Sequence, residues 1–122
     1  MQTKPHILFV CTLNQWRSPT AAKTYANDQR IEVRSAGVSS HSVHRVSQRD
    51  LEWADLVLVM EPEHKVRLLD MFNDVQLPAI ECLDISNELE FMDEALVGLI
   101  RDGTETHLAA RFGIEGCTGI KA

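Results

Sequence analysis

Short apolar runs alternate along the chain with longer stretches in which apolar residues recur at helical spacing. Ile7-Leu8-Phe9-Val10 is unbroken and apolar, as a buried strand would be. Ser18-Pro19 then predicts a helix start, because Ser is a good N-cap and Pro suits the first helical position. That helix is expected to run through Ala21, Ala22 and Tyr25 to about Asn27. Residues 31–35 predict a second strand, 36–46 a loop rich in Ser, His and Gly, and 47–54 a short helix. Leu56 to Met60 predicts a third buried strand, 62–72 a helix, and 79–83 a weaker fourth strand. A helix over 92–102 would be capped at its C-terminus by Gly103, with a last short helix between Glu105 and Phe112.

Alternation of this kind predicts an α/β fold, a parallel sheet with helices on both faces. In such sheets ligands sit at the carboxyl ends of strands, where the strand order reverses. The loop after the first strand is therefore the first place to look for chemistry. A length of 122 residues suits a single domain over 1–122. The net charge of -6, from 18 acidic and 12 basic side chains, argues against nucleic acid as a partner. Arg30, Arg34, Arg45 and Arg49 with His41 and His44 fall in one stretch, and acids dominate from Asp84 to Asp102; both read as solvated surface. No apolar run reaches the roughly 18 residues of a membrane span. The apolar run at the N-terminus is too short for a leader, so a cytoplasmic protein with no membrane partner is expected. The histidines, His6, His41, His44, His64 and His107, show no ligand spacing and are expected at the surface. Three cysteines, Cys11, Cys82 and Cys117, lack metal-ligand spacing and are odd in number. Neither a metal, a cofactor nor a disulfide framework is expected, which directs attention to a reactive thiol.

The loop reads Cys11-Thr12-Leu13-Asn14-Gln15-Trp16-Arg17-Ser18, wedged between a predicted strand and a helix start. Successive backbone N–H groups of a tight loop entering a helix can converge on an anion, and the helix dipole favours negative charge there. The guanidinium of Arg17 can pair with two phosphate oxygens at once. The same positive field favours the thiolate of Cys11, a nucleophile held under a bound phosphoryl group. Residues 12–18 are thus the candidate phosphate-binding set. Trp16 would wall the pocket, while Trp53 is expected in the core and Cys82 as a buried thiol at a strand end.

Val10-Cys11, Asn14, Arg17-Ser18-Pro19 and Ala21 resemble the low-molecular-weight protein tyrosine phosphatases, in particular their shorter bacterial branch. The resemblance extends to Val33-Arg34-Ser35-Ala36-Gly37, to Trp53-Ala54-Asp55 with Val59-Met60, and loosely to Leu83-Asp84-Ile85. It covers about residues 6–102, leaving 103–122 as a C-terminal extension. It implies a four-stranded parallel sheet and metal-free hydrolysis of phosphotyrosine or another aryl phosphate through a cysteinyl-phosphate intermediate. The implied partner is a phosphorylated protein or a small aryl phosphate; the oligomeric state is left open. Carried over by position, Cys11 is the nucleophile, Arg17 the phosphate clamp, and Ser18 a donor to the thiolate, with Asn14 holding the loop through Ser35.

The chain departs from the family pattern in three places. Leu13 stands where the family usually has Gly; a left-handed backbone there would cost about 1–2 kcal/mol. Trp16 stands where a second Cys often protects the nucleophile. Asn87 stands at the place of the general acid, and Asn cannot usefully donate a proton at neutral pH. Asp84 is the expected substitute, ahead of Glu88. The alternatives are a phosphate-binding module without turnover and a thiol-linked arsenate reductase, the latter disfavoured because Cys82 has no neighbouring Cys.

Overall fold

A computed structural model describes residues 4–114. The elements run β1 (His6–Cys11), α1 (Arg17–Tyr25), β2 (Glu32–Gly37), α2 (Gln48–Trp53), β3 (Leu56–Val59), α3 (Pro62–Met71), β4 (Ala79–Cys82) and α4 (Glu94–Phe112). All strand pairs are parallel, in the order β2-β1-β3-β4. The chain leaves β1 for β2 on one side and crosses back over β1 to β3 on the other. The order therefore reverses at the carboxyl end of β1, the position at which α/β sheets open a crevice.

The apolar run of β1 is continuous because both its faces are covered. Ile7, Phe9 and Cys11 join Leu56, Leu58 and Met60 in a core with Ala21 and Tyr25 of α1 and Leu96, Ile100 and Leu108 of α4. Leu8, Val10, Val57 and Val59 face the other way, onto Leu51 of α2 and Leu68 of α3. Alternation within the strands thus sorts one apolar run into two layers. The face under α1 and α4 also carries a polar tie. The Tyr25 hydroxyl donates to Glu105 Oε2 at 2.8 Å, and Arg30 bridges Glu105 and Asp28 at 2.7 Å each. These bonds hold both carboxyls below the usual carboxylate range, while burial and Glu105 push the tyrosine hydroxyl upward.

Two helix boundaries differ from expectation. α1 begins at Arg17 with Trp16 at the N-cap, so Ser18 lies inside the first turn and its hydroxyl serves the neighbouring loop instead. The two helices expected around Gly103 are one helix of 19 residues. Gly103 does not end it; a Cβ there would come within 2.7 Å of Leu83 Cδ2, so the glycine accommodates the approach of α4 to the end of β4. The left-handed cap lies ten residues on, at Gly113, with φ 65°. Of the proposed extension, residues 103–112 complete α4, and Cys117 lies outside the described residues. No helix among the described residues is long and apolar enough to cross a membrane.

Candidate active site

The carboxyl ends of β1 and β3 and the segment after β4 converge through backbone hydrogen bonds. Met60 N donates to Val10 O at 3.0 Å, and Ile85 N to Met60 O at 2.7 Å. The loop 11–18 rises from this junction. Its left-handed residue is Asn14, with φ 57°, and not Leu13. The backbone cost expected at Leu13 is therefore absent; the strained position is occupied by a residue type that tolerates it. Asn14 is buried and its amide donates to Ser18 Oγ at 2.8 Å and Ser35 Oγ at 3.0 Å. Ser18 Oγ lies 3.0 Å from Cys11 Sγ and 3.2 Å from Ala36 O. With both neighbours drawn tight, the amide N–H groups of Leu13 to Trp16 have no acceptor among the described residues. That is the donor set an anion would complete.

The outer side of the loop is braced by residues 37–43. Ser39 N and Ser42 Oγ donate to Thr12 O at 3.0 Å each, and Val43 N to Leu13 O at 3.1 Å. Gly37 permits this approach: a Cβ there would stand 2.7 Å from Thr12 O and collide with Ser42.

Arg17 is 3% exposed, and its Nη1 donates to Glu61 Oε1 at 2.9 Å and Ile85 O at 2.8 Å. Its Nη2 comes within 3.4 Å of Thr12 Oγ1, a weak contact that leaves this edge of the guanidinium for a ligand. Cys11, Thr12, Leu13, Gln15, Trp16, Arg17 and Asn87 line one pocket of about 120 Å³. Trp16 is partly exposed at its rim. Asn87 supplies the wall from the segment after β4. Asp84 is exposed, has φ 58°, and is not among the lining residues; its amide donates to Cys82 Sγ at 3.2 Å. Glu88 is likewise exposed and outside the lining. The group facing the pocket from this segment is thus an amide.

Sequence reasoning missed Glu61 and His64. His64 was expected at the surface but is 1% exposed, its ring against Thr12 and the start of α3. Burial, and then the nearby Arg17 guanidinium, push its pKa down to about 4, so the ring is neutral. The available signal was positional: Glu61 and His64 flank the N1 proline of α3, directly after the strand beside β1. Trp53 packs against the margin of the core that includes Leu51 and Val57 rather than inside it. It lies half-buried between the His6 ring, 4.4 Å away, and the Arg34 guanidinium, 4.3 Å away. Cys82 is half-buried, with its pKa raised by burial. No cluster of His, Cys, Asp and Glu among the described residues could hold a metal ion.

A parallel α/β sheet that presents a thiol, an unpaired row of amides and a guanidinium at its switch point defines a class built around phosphoryl oxyanions. The comparisons narrow it. The chain is 34% identical to the protein-arginine-phosphatase of Geobacillus stearothermophilus over an alignment of 94 residues, covering 57% of this chain and 64% of that protein. It therefore spans a little under two thirds of that relative's length. The low-molecular-weight protein tyrosine phosphatase of T. tengcongensis superposes with a TM-score of 0.56 at 26% identity, covering 83% of this chain and 97% of that one. The low-molecular-weight protein tyrosine phosphatase of Streptococcus pyogenes has the same fold at 17% identity, with a TM-score of 0.68 over 88% of this chain and 93% of that one. No family model matches. In sequence and fold the chain is thus similar to low-molecular-weight protein tyrosine phosphatases and to a protein-arginine-phosphatase.

Proposed function

We propose that this chain is a phosphatase that transfers the phosphoryl group of a phosphorylated protein side chain to Cys11 and then to water. The observation that carries this reading is Cys11 Sγ at the head of α1, 3.0 Å from Ser18 Oγ, in the same pocket as Arg17. The Ser18 hydroxyl stabilises the thiolate; the amides of Leu13 to Trp16 and the free edge of Arg17 hold the phosphoryl oxygens. In the first step the sulfur–phosphorus bond forms as the bond to the leaving atom breaks. In the second, water attacks phosphorus and the thiolate is regenerated. Asn14 and Ser35 keep the loop in its left-handed turn and touch no substrate.

The substrate proposed first is an aryl phosphate such as phosphotyrosine, hydrolysed fastest when its leaving group is acidic, because Asn87 faces the pocket. A second reading is favoured by the name of the arginine-phosphatase relative: a phosphoguanidino side chain. Such a group already carries a proton on its guanidinium and can depart as a neutral base without an acid in the wall. The deciding experiment offers phosphotyrosine and phosphoarginine peptides in parallel, with Cys11→Ser as control. Release of phosphate from neither overturns the phosphatase reading in favour of a binding module. A Cys11–Cys82 disulfide as the main product of mild peroxide treatment, read by mass spectrometry, would instead favour the arsenate reductase chemistry.

A further inference from the structure

We propose that the side-chain hydroxyl of Thr12 donates a hydrogen bond to the bound phosphoryl group, and that His64 is the positioning residue that leaves it this role. The inference rests on the phosphatase reading and adds a residue pair to it. The backbone N–H of Glu61 donates to His64 Nδ1 at 3.1 Å, so Nδ1 is the acceptor nitrogen of the ring. A neutral imidazole has one donor and one acceptor, so the ring proton resides on Nε2. Nε2 lies 2.9 Å from Thr12 Oγ1, and the competing acceptor among the described residues, Glu61 Oε1, is farther at 3.7 Å. Thr12 Oγ1 is therefore an acceptor from His64, and the Arg17 Nη2 contact at 3.4 Å offers it a second donor.

A hydroxyl has two lone pairs and one proton. Here the His64 N–H lies against one lone pair, the weaker Arg17 contact approaches the other, and no acceptor among the described residues takes the proton. Thr12 lines the pocket beside Cys11 and Arg17, so a phosphoryl oxygen is the acceptor within reach. The opposite tautomer would have drawn the hydroxyl proton to Nε2 and away from the pocket. The amide of Glu61 forbids that tautomer.

The test uses the full chain with p-nitrophenyl phosphate turnover and, separately, protection of Cys11 from iodoacetamide by inorganic phosphate. Thr12→Val should lower kcat/KM about ten- to hundredfold, the range of one hydrogen bond to a charged group, and weaken protection in parallel. Thr12→Ser, which restores the hydroxyl, should stay within about threefold of wild type on both measures. His64→Leu should reproduce the Thr12→Val loss, and the double variant should lose little more than either single one. Thr12→Val at wild-type level on both measures overturns the donor. Multiplying losses in the double variant overturn the coupling. If His64→Leu does not fold, His64→Gln decides: its N–H can reach the same oxygen, so near-normal kcat/KM supports positioning and a loss equal to Thr12→Val overturns it. A wild-type chain without turnover refutes the phosphatase reading, yet phosphate protection of Thr12→Val against Thr12→Ser still judges the donor.

Discussion

Two segments meet at the pocket, and they are held very differently. The loop 11–18 is tied from all sides: Asn14 to Ser35, Ser18 to Ala36 O, Thr12 to His64, Arg17 to Glu61 and Ile85 O. Residues 84–92 are fastened near their ends, by Ile85 to Met60 and by the Met92 amide to Thr20 Oγ1 at 2.8 Å. Between them Ser86, Asn87 and Glu88 are exposed and make no hydrogen bond. The half that would grip the phosphoryl group is over-determined, whereas the half that would face the leaving group is set by single side chains. Substitution in the first should break the molecule's chemistry; substitution in the second should retune it.

The largest expected effect is in the loop. Cys11→Ser should leave turnover below about 10⁻⁴ of wild type while phosphate and vanadate still bind, because the hydroxyl is a poor nucleophile without an adjacent base. Turnover surviving this change, measured with a chromogenic aryl phosphate, would overturn the cysteine mechanism. Arg17→Ala should lower kcat/KM about 10²–10³-fold, as removal of a preorganised oxyanion donor does. Arg17→Lys should recover less than about tenfold of that, since a point charge does not reproduce the planar fork.

The segment 84–92 offers a gain. Wild type should show rates that fall steeply as leaving-group pKa rises. Asn87→Asp should flatten that dependence and raise phosphotyrosine turnover by about 10², the lower range of general acid catalysis. Asp84→Asn, altering an exposed side chain outside the pocket lining, should leave the slope unchanged. A steeper slope in Asp84→Asn would restore the assignment of the proton to Asp84 that the sequence alone favours.

A smaller effect concerns stability on the tightly held side. His64 has a folded-state pKa of about 4 against an ordinary value of 6.5, so between these limits the unfolded chain binds more protons. Its contribution is fully present above about pH 6.5 and is lost as pH falls through about 4. Urea unfolding should show a loss on the order of 3 kcal/mol over that window attributable to this ring. In His64→Gln that part of the acid slope should vanish; an unchanged slope would mean that the ring is not buried in the neutral form.

What the sequence revealed follows the same division. β1, the loop and its thiol and guanidinium are contiguous, so their pattern is readable along the chain. The helices expected over 47–54 and 62–72 are present, and their caps are local: a Ser47–Asp50 capping box in one, a proline in the first turn of the other. Glu61 and His64 were not legible as partners of Arg17 and Thr12. Their contacts span 44 and 52 residues and depend on β3 lying beside β1, which no local pattern states. Gly103 misled because a glycine admitting a neighbour and a glycine ending a helix are the same letter. Only the proximity of Leu83 separates the two.

The placement of the two tryptophans has an optical consequence. Trp53 is sandwiched between an imidazole and a guanidinium, well away from the loop, whereas Trp16 stands half in solvent at the pocket rim. Their indoles therefore sample different surroundings, and entry of an anion between residues 12 and 17 changes those of Trp16 alone. Intrinsic emission, compared with a Trp16→Phe chain in which only the sandwiched indole shines, reads the pocket directly without an added label.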